Sequence, residues 1–225
     1  MTRGWCGSGV PALGADTATV IFLGETMAFG LPVVGCWAST KRSRWEALMT
    51  GEWVRLKLDL DAFDAAPYEP YRRRCQQAGI AFVTMAAVGD TAEHRHALYE
   101  LNRTCSADIP GRGEFYTFEE YLAQRIETPT YDPQGIVLAL DGGAWVGMAA
   151  TSLQPEGHAF SEMTGVLAGH RGRGISMAMK LLAIEYARSH GMRWLRTFHH
   201  PHNASAIGMN RRLGFVDDEP HTAMT

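Results

Sequence analysis

The segment with the most distinctive chemistry in this sequence is HRGRGIS, from His170 to Ser176. Gly172 and Gly174 carry no Cβ, so backbone N–H groups there can approach a ligand closely. The apolar residues that follow recur at helical spacing, which places the turn at a helix N-terminus, where free N–H groups and the helix dipole favour an anion. With Arg171 and Arg173 adding positive charge, the segment predicts a pyrophosphate site.

Two common nucleotide-binding motifs do not fit this spacing. A P-loop needs Gly-x-x-x-x-Gly-Lys followed by Ser or Thr, and no lysine occupies that place. The dinucleotide fingerprint Gly-x-Gly-x-x-Gly fails because Ile175, Ser176 and Met177 follow Gly174. The predicted anion site therefore belongs to neither of these ligand classes.

The segment Arg171 to Ser176 resembles the acyl-CoA signature of the GNAT superfamily of N-acyltransferases, which reads Arg or Gln, two residues, Gly, one residue, then Gly or Ala. The last position alone departs from this pattern, because Ser176 replaces Gly or Ala. The preceding MTGVLAG and the downstream NASAIGMNRRLGF stand where the family places its cofactor-flanking strand and its late helix. The resemblance covers about residues 78–225.

The resemblance implies an α+β fold of three layers, in which helices flank a mixed, strongly twisted sheet. The sheet is expected to split between the strand ending near Leu167 and the strand RWLRTF. Acetyl-CoA, or another acyl-CoA, would be the co-substrate, with its pantetheine arm in the split and with no metal. The cofactor-binding residues implied are Val166 and Leu167 through backbone groups, Arg171, Gly172, Arg173, Gly174, Ile175 and Ser176 around the pyrophosphate, and Asn203 and Asn210 in the late helix.

Acetyl transfer to an amine requires a group that accepts the amine proton. Counting back by twos along the strand from Val166 predicts that Thr164 and Glu162 share its face. Glu162 is one of few acids close to the expected thioester, and it is the candidate catalytic base, acting directly or through water. The alternative is an exposed strand carboxylate without a catalytic role.

The departing thiolate raises a second question of proton transfer. The family often places a Tyr in the late helix as general acid, and Asn210 stands at that position here. An amide cannot donate a proton in this sense, although it could hydrogen-bond the sulfur. Either the thiolate leaves unassisted or another group serves, and one of His199, His200 and His202 is an alternative. These histidines lack a Cys or carboxylate partner, so they do not predict a metal site.

The acceptor pocket is expected to lie beside the connection between the first two predicted helices. The resemblance places Asp108, Glu114 and Tyr116 there, and acids would suit a cationic amine. We therefore predict an N-acetyltransferase acting on a primary amine of a small molecule, such as an antibiotic or an amino-sugar metabolite. Two alternatives are a non-catalytic acyl-CoA-binding module and a protein N-acetyltransferase, for which no acidic recognition surface is evident.

The elements that must position these residues can be read from about residue 52 onward. EWVRLKLDLD alternates as a half-buried strand does, PYRRRCQQAG predicts a short helix, and IAFVTM predicts a second strand. Two capping boxes, Asp90 with Glu93 and Thr117 with Glu120, start two helices. The turn Asp141 to Gly143 joins two strands in a hairpin. A strand, the Gly-Arg turn, a helix, a strand and a last helix follow.

The first part of the chain is less informative. Residues 1–43 show no helical or strand period. The segment from Glu52 to Met85 resembles the junction between the two halves of tandem GNAT proteins. We therefore predict an N-terminal extension, residues 1–77, as the remnant of a first GNAT copy that serves as a cover or a homodimer surface. Residues 78–225 would form the GNAT domain. A misassigned start would also explain the patternless opening.

Composition sets limits on the partners. The 225 residues include 20% charged residues and carry a net charge of −3. This composition indicates neither a nucleic acid nor a membrane as partner. The apolar stretch 18–38 contains Glu25 and Pro32, which argue against a membrane span. The four cysteines contain no C-x-x-C pair and predict reduced thiols in a cytoplasmic protein; they are Cys6, Cys36, Cys75 and Cys105.

Overall fold

The computed structural model describes residues 53–218. Residues 1–52 and 219–225 lie outside this range. The strands, β1 to β7 in chain order, are Val54–Asp59, Ile80–Thr84, Ile136–Asp141, Ala144–Gln154, His158–Val166, Trp194–His199 and Val216–Asp217. The helices, α1 to α6, are Glu69–Gln77, Met85–Val88, Ala92–Ser106, Phe118–Tyr121, Ile175–Ser189 and Ala204–Arg212. Short 3-10 turns span Ala66–Tyr68, Pro133–Gly135 and Ala168–His170, and a π-helical turn spans Leu122–Ile126.

The strands form one mixed sheet in the order β2-β3-β4-β5-β6-β1-β7. Neighbouring strands are antiparallel except β5 and β6, which run parallel. One face is covered by α1 and α5, whose apolar side chains pack with Val137, Val146 and Val166. The other is covered by α3 and α4, which pack on Leu138, Met148 and their neighbours. The predicted three-layer α+β architecture is therefore confirmed.

The sheet opens between β5 and β6. These strands pair only at Ala159 with Leu195 and at Phe160 with Arg196, although β5 continues to Val166. One step beyond the last pair, Thr197 donates its hydroxyl to the carbonyl of Ser161 at 3.2 Å. The predicted split is confirmed, and its vertex lies at Ser161 and Thr197.

A β-bulge interrupts β5 next to this vertex. Ala150 of β4 pairs with Met163, but Thr151 pairs with Ser161, so Glu162 is an extra residue without a cross-strand partner. A bulge breaks the two-residue period of a strand. The expectation that Glu162 shares the face of Thr164 and Val166 is therefore wrong.

The local turns follow the sequence with one exception. Gly142 and Gly143 adopt φ of 57° and 91° in the two-residue hairpin turn, as predicted. Thr117 caps α4 in a complete capping box with Glu120. The other predicted cap, Asp90, is wrong, because Arg95 binds both its oxygens at 2.8 and 2.7 Å. Thr91 caps α3 instead, accepting from the His94 N–H.

The predicted division at residue 77 runs through one structural unit. β1 lies inside the sheet, between β6 and β7, and its buried Leu56 and Leu58 pack in one cluster with Met177 and Phe215. α1 packs against α5 through Tyr71 and other residues. The segment 54–77, which resembles a tandem junction, thus completes the sheet of the predicted 78–225 domain. Residues 1–52 of the proposed first copy, which include the patternless residues 1–43, lie outside the described range.

Two further expectations concern cysteines and membranes. Cys75 and Cys105 are free and buried, and burial raises the pKa of both thiols, that of Cys105 to about 11. Cys6 and Cys36 lie outside the described residues, as does the apolar stretch 18–38. Among residues 53–218, no helix has the length and hydropathy that a membrane crossing requires.

Candidate functional site

The Gly-Arg turn connects β5 to α5 at the mouth of the split. Gly174 is the N-cap of α5 with φ of 83°, a conformation that side chains rarely adopt. A Cβ on Gly174 would lie 2.8 Å from the ring of Tyr71, which belongs to α1. Gly172 also has positive φ, but open space surrounds it. The turn therefore needs glycine at residue 174 for both conformation and space.

The N-terminus of α5 offers the backbone donors that the sequence predicts. The first N–H groups of a helix have no partner within it. Here Ala178 is the first residue to bond back, to the Gly174 carbonyl at 3.1 Å, which leaves Ile175, Ser176 and Met177 as donors. α1 supports the turn, since Cys75 Sγ lies 3.6 Å from the Arg173 carbonyl.

Both arginines of the turn are bound to acids. Arg171 Nη1 lies 2.7 Å from Asp108, and Arg171 Nε donates to the Val166 carbonyl at 3.0 Å. Arg173 pairs with Asp141 at 3.2 Å. The predicted phosphate contacts of these side chains would compete with these ion pairs, whereas the backbone donors of α5 are uncommitted.

The backbone at the end of β5 is partly committed. The Leu167 N–H donates to the Val146 carbonyl of β4 at 2.9 Å. Because successive residues of a strand present their backbone groups to opposite sides, Val166 and Thr164 present theirs to the split. The Val166 N–H and the backbone of Thr164 are thus placed to contact a ligand in the split, whereas the Val166 carbonyl accepts from Arg171 and Leu167 is turned away.

Glu162 lies on the face of β5 that packs against α3 and α4. Its Oε2 accepts from Arg125 Nη1 at 2.7 Å, and its Oε1 accepts from the Ser152 hydroxyl at 2.7 Å. Arg125 comes from the π-helical turn after α4. Glu162 is half-buried, so the bulge holds a carboxylate beside the split in a fixed orientation. Sequence reasoning missed Arg125 and Ser152, which are distant in sequence.

A cavity of about 590 Å³ lies on this same side. It is lined by the end of α3 and by the connection to α4, including Tyr99, Arg112, Glu114 and Tyr116. Glu114 and Tyr116 thus line a cavity, and their contact with the acceptor stays a prediction. Its volume is within the range of small-molecule sites, about 300 to 1,000 Å³.

Asp108 does not line this cavity. It is exposed and bound to Arg171, as described above, so it joins the α3–α4 connection to the phosphate turn. The same connection also approaches the loop after β6, because a Cβ on Gly111 would lie 2.9 Å from His200 Nε2. The connection thus spans the open end of the split.

The late helix places its two predicted residues differently. Asn203 is the N-cap of α6 and accepts from the Ala206 N–H at 3.3 Å. Asn210 is fully buried; its Nδ2 lies 2.7 Å from His199 Nε2 and 3.0 Å from the Ala206 carbonyl. Its Oδ1 is buried with no partner. A buried unsatisfied amide oxygen is costly, which points to a ligand group at this position.

The residues present fit coenzyme A. Free helix N–H groups stand at the mouth of the split, strand edges line it, and α6 carries a buried amide oxygen without a partner, that of Asn210. The three histidines of the loop do not gather around a common point: His199 bonds to Asn210, whereas His200 accepts from the His202 N–H at 3.2 Å. In the described part of the chain, no group of three potential metal ligands occurs.

Sequence reasoning also missed Lys180. It lies on α5 with 1% exposure, and its amine donates to the Ser161 hydroxyl at the vertex of the split. The available signal was composition, because Lys180 is the only charged residue in the run ISMAMKLLA, residues 175–183.

The chain matches known proteins over the region that contains this site. Residues 95–215 match the model of the Acetyltransferase (GNAT) family. Over 122 residues the chain is 34% identical to a mycothiol acetyltransferase of Pseudarthrobacter chlorophenolicus, a match that covers 52% of this chain and 37% of that protein. A mycothiol acetyltransferase of Thermobifida fusca is 29% identical over 126 residues, covering 51% and 38%. The chain thus spans under two fifths of the length of these relatives.

Solved structures share the fold. A GCN5-related N-acetyltransferase from Sphaerobacter thermophilus superposes with a TM-score of 0.53 at 21% identity, covering 80% of this chain and 54% of that one. A tandem GNAT protein from the clavulanic acid biosynthesis pathway gives a TM-score of 0.50 at 21% identity, covering 78% and 55%.

Proposed function

Because the chain belongs to the acetyltransferase (GNAT) family, we propose that it transfers an acetyl group from acetyl-CoA to a primary amine of a small molecule. The observation that carries the proposal is the position of Glu162. It sits on a bulge at the vertex of the split and binds Arg125, whose guanidinium lies 5.8 Å from the ring of Tyr116 in the cavity wall.

The cofactor would be held by this chain's backbone. The N–H groups from Gly172 to Ser176 would bind the pyrophosphate, the edge of β5 at Val166 would align the pantetheine, and Asn203 would lie near the arm. Acetyl-CoA supplies an activated acyl group whose leaving group is a thiolate. Arg171 and Arg173 would add charge once their acidic partners are exchanged for phosphate.

Glu162 would accept the proton of the acceptor amine. Because Arg125 and Ser152 bind its two oxygens, the carboxylate cannot rotate freely, and its remaining lone pairs are available to one incoming donor. Tyr116 and Glu114 line the cavity next to it, and the Tyr116 ring stacks 5.8 Å from the Arg125 guanidinium. The cavity wall combines aromatic rings with one acid, Glu114, and two cations, Arg103 and Arg112, so a small amine that also carries hydrogen-bond acceptors would suit it.

The size of the cavity favours a small acceptor over a protein. The relatives named mycothiol acetyltransferases support the same choice, and the acceptor used by those enzymes belongs among the first compounds to test. A cytoplasmic location and a homodimer surface in residues 1–77 stay predictions.

The test is a screen of primary amines, including amino sugars and aminoglycosides, for release of CoA thiol by the full chain. We expect turnover with at least one compound, and about a 100- to 1,000-fold lower kcat/KM in Glu162→Gln. The matched control is Glu156→Gln, in the exposed turn between β4 and β5, with wild-type turnover. CoA binding without turnover on any amine, or an unaffected Glu162→Gln, would instead support an acyl-CoA-binding module.

A further inference from the structure

Lys180 is a buried amine without a counterion. Its side chain is 1% exposed, and its polar contacts are the Ser161 hydroxyl and, at 3.5 Å, Thr164 Oγ1. Within residues 53–218 it forms no ion pair, and the Phe215 ring lies 5.6 Å from Nζ. Burial lowers the pKa of Lys180 from 10.5 to about 7. An apolar residue at this position would stabilise the fold, so the lysine calls for a functional explanation.

The position of Lys180 is specific. Ser161 is the first residue of β5 past its last pair with β6, and Thr197 replaces the missing ladder bond there. Lys180 therefore lies directly beneath the vertex of the split, on the α5 face. Glu162, the next residue along β5, lies on the opposite face, as neighbouring residues of a strand do.

The neighbouring groups cannot supply a proton near neutral pH. Asn210 occupies the place where the family often has a Tyr acid, and an amide does not ionise. Burial, together with the charge of Lys180, lowers the pKa of His199 to about 4, so its ring is neutral. Four described residues lie against Lys180, and among them His199 is the only titratable one; they are Ser161, Thr164, His199 and Phe215. Lys180 is thus the remaining source of a proton at the vertex.

The hydrogen-bond geometry sets the direction of transfer. An ammonium donates and accepts nothing, so Ser161 Oγ is the acceptor and its own hydrogen points away from Lys180. Thr197 and Lys180 together fix Ser161 at the vertex. The Ser161 hydroxyl therefore donates away from the amine. The Lys180 ammonium can replace the proton that this hydroxyl gives up.

We propose that Lys180, acting through the Ser161 hydroxyl, supplies the proton that the leaving sulfur of acyl-CoA takes up; this rests on the proposed function. As the acceptor nitrogen bonds to the acyl carbon and the C–S bond breaks, Ser161 gives its proton to sulfur and regains one from Lys180 Nζ. Glu162 takes one proton from the acceptor nitrogen. Exchange with water then restores both residues, and no oxidant or reductant is needed.

The first test needs no acceptor. The thiol pKa of CoA bound to the protein is measured by the ultraviolet absorbance of the thiolate, in the wild type and in Lys180→Met. We expect the bound thiol to titrate about half a unit higher in Lys180→Met, because in the wild type the thiolate and the ammonium stabilise each other and the two groups titrate as a coupled pair. Ser161→Ala serves as a second variant that leaves the lysine in place. Equal thiol pKa values in wild type and Lys180→Met would overturn the proposal.

The second test uses whichever amine is turned over. Lys180→Met should lower kcat about 10- to 100-fold with little change in KM, because a thiolate of pKa near 8.5 leaves partly unassisted. The wild-type kcat should fall above about pH 7 as Lys180 loses its proton, and Lys180→Met should lack this limb. A retained limb would refute the proposal. Absence of turnover in the wild type would refute the proposed function alone, since the thiol measurement still decides the role of Lys180.

Discussion

The two faces of β5 differ in how their functional residues are held. On the α5 face, the phosphate turn, its helix and Lys180 all lie within the nineteen residues 171–189, and backbone groups do most of the positioning. On the opposite face, Glu162 depends on Arg125 and Ser152, and the cavity depends on the connection from α3 to α4. Side chains from distant segments do the positioning there.

This difference has a functional meaning. A backbone site suits a ligand common to a whole family, whereas a site made of side chains on connecting segments can change its specificity without altering the fold. The α5 face would therefore serve acetyl-CoA, and the α3–α4 face would determine which amine is acetylated. The predictions below test this division of roles.

The largest expected effect concerns stability on the α5 face. Folding lowers the pKa of Lys180 from 10.5 to about 7, so the folded state binds fewer protons than the unfolded state between these values. Wild-type stability is penalised fully below pH 7 and recovers as pH rises towards 10.5. Lys180→Met should thus be more stable by roughly 3 to 5 kcal/mol near neutral pH, measured by urea unfolding.

The same variant provides its own control, because the gain should shrink as pH rises. Urea unfolding of both proteins is measured at about pH 6.5, where the gain should be complete, and at about pH 9, where it should be smaller. A gain that does not change with pH would show that Lys180 keeps its proton in the folded state over this range, as it does in the unfolded state.

A smaller effect is expected on the α3–α4 face. Tyr116→Ala removes a ring from the cavity wall and its stacking on Arg125, so KM for the amine should rise about tenfold, in line with the roughly 1 kcal/mol of such contacts. The Kd for CoA should stay unchanged in calorimetry. Tyr116→Phe keeps the ring and should retain most of the affinity. A changed CoA affinity would contradict the assignment of CoA to the α5 face and of the amine to the α3–α4 face.

The smallest effect lies where the two faces meet. Asp108→Asn frees Arg171 from its acid, so CoA should bind about two- to threefold more tightly if Arg171 turns to the phosphates. Asp217→Asn is the matched control, since Asp217 forms a similarly exposed pair with Arg211 at 2.9 Å. Unchanged affinity in Asp108→Asn would mean that Arg171 stays with the β5 carbonyl when CoA is bound.

Local features were predictable from the sequence. The glycines of the hairpin, the capping box at Thr117 and the Gly-Arg turn before α5 each depend on residues within a few positions of one another. Local conformational preferences decide such features. The split between β5 and β6 came from the family resemblance, and the structure confirms it.

Features that depend on tertiary contacts were not predictable. A two-residue period cannot reveal the bulge at Glu162, because the bulge is a property of the pairing with β4. Asp90 loses the cap of α3 to Thr91 because Arg95, one turn along the helix, binds it. The pairing of Asp108 with Arg171 depends on the path of the α3–α4 connection, which no local pattern specifies.

The central claim is that the turn before α5 binds coenzyme A, and calorimetric titration of CoA tests it most directly. Gly174→Ala would place a Cβ at φ of 83° and 2.8 Å from Tyr71, so we expect about 10- to 100-fold weaker binding, given the strain of about 1 to 2 kcal/mol and the clash. The control is Gly169→Ala, at an exposed position five residues earlier with open space around it. Because typical surface substitutions have small effects, this variant should bind CoA within about twofold of the wild type. Equal affinity in Gly174→Ala and the wild type would contradict the account.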